Sequence, residues 1–110
     1  MPYIPGRGDV VWLTFDLQAG CEQAGRRPAL VISPKAYNAK TGLSLVCPVT
    51  GRVKEYPFEV AIPPGLPIGG VVLADKIKSL DWKARKAGFI CTLPAEITED
   101  VIAKIYPLLE

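Results

Sequence analysis

Apolar residues along this chain come in short runs, and most runs are β-branched or alternate with polar positions. Asp9 to Phe15 (DVVWLTF) predicts a first strand. Arg27 to Ser33 (RPALVIS) predicts a second, with Pro28 near its start, where a missing N–H is tolerable. Ser33-Pro34 reads as an N-cap followed by proline at the first helical position, opening a short helix that ends near Gly42. Leu43 to Thr50 (LSLVCPVT) predicts a third strand, with Pro48 marking an edge or a bulge. Glu55 to Ile62 alternates Tyr56, Phe58, Val60 and Ile62 on one face, a half-buried strand with Tyr56 turned inward. Gly70 to Ile77 and Arg85 to Leu93 predict two more.

After Pro94 the period changes. Ile97, Val101, Ile102, Ile105, Leu108 and Leu109 recur at helical spacing, with Thr98 as the expected N-cap and Glu99 and Asp100 in the first turn. Pro107 is expected to end or kink that helix. Trp12 and Trp82, at strand positions, are expected in the core or a dimer interface. Five or six antiparallel strands with a terminal helix imply a mainly β (β-rich α+β) domain, a small, strongly curled sheet or partly open barrel. Residues 1–110 read as one domain.

Composition narrows the class. With 49% apolar residues the chain can bury a core, and its 11 prolines and 10 glycines fall between the runs, as turns require. Cys21, Cys47 and Cys91 form no CxxC pair, and no basic start leads into an apolar stretch. Reduced thiols in the cytoplasm are the expectation. The most apolar region, Ala61 to Ala74, is broken by Pro63, Pro64, Gly65, Pro67, Gly69 and Gly70 and cannot be a membrane helix. Net charge is only +2, but Lys76, Lys78, Lys83, Arg85 and Lys86 stand against Asp81 alone in eleven residues. Such a stripe is either a solvated edge strand or a surface that steers an anionic polymer.

Histidine is absent, which removes the usual acid–base pair of many ribonucleases and most zinc sites. No Gly-rich phosphate loop, metalloprotease helix or nucleophile elbow is present. Catalysis therefore falls to carboxylates, arginines, hydroxyls and backbone groups. The most unusual segment is Ala19 to Pro28 (AGCEQAGRRP), where Gly20 and Gly25 bracket an acid and an amide and a pair of arginines follows. Pro28 biases Arg27 to an extended backbone, so its guanidinium should project from the strand start. Beside Glu22, that fork of donors suits a phosphodiester. A plain hairpin loop with an Arg–Glu surface pair would look the same.

GDVVWLTFD (Gly8–Asp16) followed by GCEQAGRRPALVISP (Gly20–Pro34) resembles the N-terminal region of the MazF/PemK toxins, with their G-D-φ-φ-W strand and G-x-E-Q-x-G-x-R-P loop. The likeness continues through YNAKTG (Tyr37–Gly42), CPVT (Cys47–Thr50), YPFEV (Tyr56–Val60) and ADKIKSLDWKAR (Ala74–Arg85) to the terminal helix. The resemblance implies an SH3-like antiparallel barrel (CcdB/Kid/PemK-like) with a C-terminal helix, forming a homodimer. It implies a sequence-selective, metal-independent endoribonuclease that cuts single-stranded RNA by 2′-OH attack, needing no cofactor. It also implies a MazE-like antitoxin partner whose acidic disordered tail lies along the RNA surface, and no membrane.

Carried over by motif position, the family's catalytic arginine falls on Arg27, its hydroxyl on Thr50 and its loop acid on Glu22. Glu22 could act as base, while Arg27 and Thr50 hold the non-bridging oxygens. Arginine is too weak an acid for a proton donor, so Arg27 is read as an electrostatic clamp. Gln23, Arg26, Arg52, Lys54, Asp75, Lys76 and Lys78 are expected RNA contacts, the cations through phosphates. Two departures stand out. In one branch the acid at position 75 is the base and works with an arginine two residues earlier, where this chain has Leu73, so Asp75 reads as a base-reading or structural residue. Gly51 follows Thr50 where many members carry another hydroxyl. A non-catalytic CcdB-like toxin that binds a gyrase subunit, or an SH3-like interaction module, is the alternative on the same fold.

Overall fold

The computed structural model describes residues 2–15 and 25–109. The elements run β1 (Asp9–Thr14), β2 (Arg26–Val31), α1 (Lys35–Thr41), β3 (Leu43–Thr50), β4 (Glu59–Ala61), β5 (Val71–Leu73), β6 (Lys78–Asp81), β7 (Gly88–Thr92) and α2 (Ala95–Leu109). Every pairing is antiparallel, in the order β4-β5-β3-β2-β1-β7, with β6 also on β3. β4 and β7 are each paired on one side only, so among the described residues the sheet stays open. The expected mainly β fold with a C-terminal helix is what the chain adopts, as a seven-stranded antiparallel sheet that among the described residues does not close into a full barrel.

β3 is the hub. Its residues Leu43–Val46 pair with β6 and Val49–Thr50 with β5, while the other flank meets β2. The Leu45 carbonyl accepts the Ile32 N–H, so odd-numbered residues here face β2 and Pro48 faces the opposite flank. Pro48 falls in the interval between the β6 and β5 pairings, where a missing N–H breaks no ladder. It therefore sits in a central strand, not at an edge.

The sheet carries core on both faces. Val10, Leu30, Cys47, Val49 and Val72 pack beneath Val101 and Ile105 of α2. On the other face Val11, Leu13, Ala29, Val31 and Val46 close around Trp82, whose indole N–H donates to the Asn38 carbonyl at 2.8 Å. A register shift between Val10 and Val11 in the β1–β7 ladder sits where consecutive residues are both buried.

Several local expectations are corrected. Ser33 does not cap α1: Pro34 holds the cap position, and the Ser33 hydroxyl donates to Asn38 Oδ1 at 2.6 Å inside the core. Gly42 ends the helix in the left-handed region, as its lack of Cβ permits. α2 starts earlier than Thr98, with the Pro94 carbonyl accepting the Ile97 and Thr98 N–H groups, and Thr98 is buried within the helix. Pro107 does not end α2, which runs on to Leu109 with Pro107 in its last turn. Tyr56 is 46% exposed, since Pro57 opens a turn closed by the Glu59 N–H on the Tyr56 carbonyl, and the strand begins only at Glu59. Trp12 is 39% exposed, whereas Trp82 is core. Among the described residues no helix is long and apolar enough to cross a membrane.

Candidate active site

The two antiparallel strands at the centre of the sheet place the site. Ala29 lies opposite Pro48, and the same register carried two residues further sets Arg27 opposite Thr50. Directly opposed residues share a face, so both side chains leave the Ala29–Val31–Val46 side of the sheet just where its apolar packing stops. There they line an open cavity of about 530 Å³.

The rest of the wall comes from three other places. Phe15 follows the end of β1; Arg52, Lys54 and Tyr56 lie on the segment after β3; Asp75, Lys76 and Lys78 lie on the 3-10 turn and strand after β5. Five cations, Arg27, Arg52, Lys54, Lys76 and Lys78, thus face two acids, Glu59 and Asp75. The positive excess in a half-sheltered cleft raises the local concentration of an anion.

Several groups are already oriented. The Thr50 hydroxyl oxygen accepts the Arg52 N–H at 3.2 Å, which leaves the Thr50 proton to donate to a bound oxygen. Glu59 accepts the Lys54 N–H at 3.1 Å through Oε2, tying the loop after β3 back to β4. The Tyr56 hydroxyl donates to Asp75 Oδ2 at 2.9 Å, and that bond, with the carboxylate's charge, raises the Tyr56 pKa. Asp75 Oδ1 is buried and lacks a partner among the described residues. Lys78 Nζ sits 5.7 Å from the Phe15 ring centre. Behind the wall the Cys47 thiol is pushed up to about 12, first by burial and then by Asp75, so it is an inert core group.

Gly70 supports Thr50 from behind. A Cβ at Gly70 would stand 2.2 Å from the Thr50 carbonyl oxygen, and its φ of +103° suits only glycine. This close approach lets β5 pair with Thr50. Among the described residues no three His, Cys, Asp or Glu side chains gather in the manner of a metal site.

Comparison with known proteins gives the arrangement a family. Residues 6–109 match the PemK-like, MazF-like toxin of type II toxin-antitoxin systems. The chain belongs to this toxin family. It is 47% identical over 107 residues to the endoribonuclease toxin MazF of Escherichia coli K12, covering 97% of this chain and 96% of the relative. It superposes on a crystal structure of MazF from Deinococcus radiodurans with a TM-score of 0.89 and 54% identity, covering 98% of each chain. A MazE-MazF crystal structure from the same organism gives 0.90 and 52%, with 97% of each chain covered.

Of the residues expected in such a toxin's site, Arg27, Thr50, Arg52, Lys54, Asp75, Lys76 and Lys78 share the one cavity. Arg26 does not line it; its guanidinium turns to the carbonyls of Arg85 and Lys86. Glu22 and Gln23 lie outside the described residues. Sequence reasoning missed Phe15, Tyr56 and Glu59 as wall residues. The signal for Phe15 was present, because strand alternation puts it on the Leu13 face of β1, where it packs against the margin of the Trp82 cluster. Tyr56 and Glu59 required knowledge of the turn at Pro57.

Proposed function

We propose that this chain is the endoribonuclease toxin of a type II toxin–antitoxin pair, cutting single-stranded RNA in the cationic cavity by metal-independent transesterification. The observation that carries the reading is Arg27 beside Thr50 on one cavity wall, with a cationic rim. Names of relatives point the same way: the E. coli protein is called an endoribonuclease toxin.

In the proposed step the ribose 2′-oxygen forms a bond to the adjacent phosphorus as the P–O5′ bond breaks. The 2′ proton leaves to a base and the 5′-oxygen takes up a proton, giving a 2′,3′-cyclic phosphate and a 5′-OH. Arg27 offers a fixed fork of donors to the charged phosphorane, and the Thr50 hydroxyl donates to a second non-bridging oxygen. Glu22 is the proposed base and Gln23 an RNA contact. Arg52, Lys54, Lys76 and Lys78 hold flanking phosphates and make affinity salt-dependent. Asp75, fixed through Oδ2 by Tyr56, faces a base rather than the scissile bond.

The same positive cleft suits the acidic segment of a MazE-like antitoxin, the partner present in the solved D. radiodurans complex. Tyr106, Leu108 and Leu109 are exposed at the end of α2, apolar surface that a homodimer would cover. Cytoplasmic residence follows from the substrate and the reduced thiols.

Incubating the protein with a long single-stranded transcript in EDTA and mapping the fragment ends tests the reading. Discrete cuts leaving cyclic phosphate and 5′-OH are expected. An intact transcript would favour the protein-binding toxin or interaction module, and 5′-phosphate ends would exclude the proposed step.

A further inference from the structure

Two adjacent arginines open β2, and they do different things. Successive strand residues face opposite sides, so Arg27 enters the cavity while Arg26 leaves it. Arg26 Nη1 donates to the Lys86 carbonyl at 2.6 Å, to the Arg85 carbonyl at 3.1 Å and to the Thr14 hydroxyl at 3.3 Å. The Lys86 backbone has φ of +55°, the left-handed region that a side chain disfavours, at the turn between β6 and β7.

Arg85 reaches the other way. Its Nη1 donates to the Thr14 carbonyl at 2.9 Å and to the Phe15 carbonyl at 2.7 Å, while its own carbonyl accepts the Thr14 N–H at 2.9 Å. The two guanidiniums therefore cross: one runs from β2 to the β6–β7 turn, the other from that turn to the end of β1. The Phe15 N–H on the Gly25 carbonyl, at 2.8 Å, closes the corner. Each latched backbone segment adjoins a cavity residue, Phe15 on one side and Arg27 on the other.

We infer that Arg26 and Arg85 are positioning residues, a reciprocal latch that sets the Phe15 and Arg27 side of the cavity against Thr50. They do not bind phosphate. Two of the cations that looked like RNA contacts or part of the basic stripe are spent on backbone carbonyls, leaving Arg52, Lys54, Lys76 and Lys78 of the cavity wall to face the polymer. The inference rests on the reading of Arg27 as the phosphorane clamp.

Lysine at either position keeps the charge and the donors, but its nitrogen ends one bond nearer the backbone on a flexible stem with no planar guanidinium to fix it, so Arg26→Lys and Arg85→Lys separate geometry from charge. Single-turnover cleavage of a single-stranded transcript at saturating enzyme is expected to fall about tenfold in each, since small misplacements near the chemistry are costly. Binding of a fluorescent oligoribonucleotide is expected to keep the wild-type slope of log K against log salt in Arg26→Gln. Lys78→Gln should lower that slope by about 0.7, one phosphate's share on a single strand. A slope loss in Arg26→Gln equal to that of Lys78→Gln would make Arg26 a phosphate contact and overturn the latch. Lysine variants that melt earlier yet cleave at the wild-type rate when folded would also overturn it, leaving a purely structural tie. If Arg85→Lys does not fold, Arg26→Lys, at an exposed position, decides alone. Failure of the clamp reading looks different, because Arg27→Ala would then cleave normally whatever the latch variants do.

Discussion

The two faces of β2 and β3 are finished in opposite ways. On one, Leu30, Cys47 and Val49 run under α2 and meet Val101 and Ile105, so every position ends in apolar contact. On the other, Ala29, Val31 and Val46 meet Trp82, and then the cover stops. Beyond it the same two rigid strands carry Arg27 and Thr50 into an open cleft. A packed face asks only for volume and shape, and it makes even a thiol inert. An uncovered strand end holds polar groups at fixed spacing without taking them wholly out of water, which would cost far more.

Substitutions can break that contrast, and the largest effect belongs to the open face. Arg27→Ala should lower cleavage by about 100-fold or more, the usual cost of one donor to a developing charge. Thermal denaturation should hardly change, because the exposed guanidinium supports no core. Gly70→Ala should be the substitution that harms both faces. Its Cβ would collide with the Thr50 carbonyl at a backbone angle only glycine tolerates, costing about 1–3 kcal/mol of stability. Cleavage by the folded remainder should fall too, which single-turnover assays below the melting range would measure.

Val101→Ala should touch the packed face alone. Removing two buried methyl groups beneath α2 costs about 2 kcal/mol, read by urea denaturation, with cleavage per folded molecule unchanged. The smallest effect concerns the tie between Tyr56 and Asp75. The tyrosine's pKa lies above its ordinary 10.0, chiefly through that hydrogen bond. A raised value means the bond's contribution is fully present below pH 10.0 and is lost as pH climbs through the raised pKa. Ultraviolet titration of the tyrosinates should show Tyr3 and Tyr56 titrating late, Tyr3 through burial and Asp9, and only the Tyr56 step should return toward the ordinary range in Asp75→Asn.

Much of the packed architecture was legible in the chain because it is local. The runs at Asp9, Arg27 and Leu43 became β1, β2 and β3 within a residue or two, and Gly42 closed α1 as a left-handed cap should. What failed was decided by tertiary neighbours. Lys78–Asp81 has no apolar alternation, and it is a strand only because β3 offers it an edge. Tyr56 followed the phase of Phe58 on paper, but Pro57 broke the strand between them. Thr98 looked like a cap, yet the Pro94 carbonyl already served the helix start.

The site divides along the same line. Arg27 carried a local signal, the proline after it and the extended backbone that proline demands. Thr50 carried none, since only the β2–β3 register puts it across from Arg27; its motif likeness pointed there first. Arg26, expected as an RNA contact, does not line the cavity, and strand alternation after Arg27 already turns it to the other side.

The central claim is that Arg27 and Thr50 act on one phosphate, and a double-mutant cycle tests it most directly. Single-turnover cleavage of one transcript would be measured for Arg27→Ala, Thr50→Val and the pair together. Groups sharing one transition state are strongly non-additive, so the double variant should be scarcely slower than Arg27→Ala alone. Losses that multiply in full would mean the two side chains act independently, and the shared-phosphate account would fall.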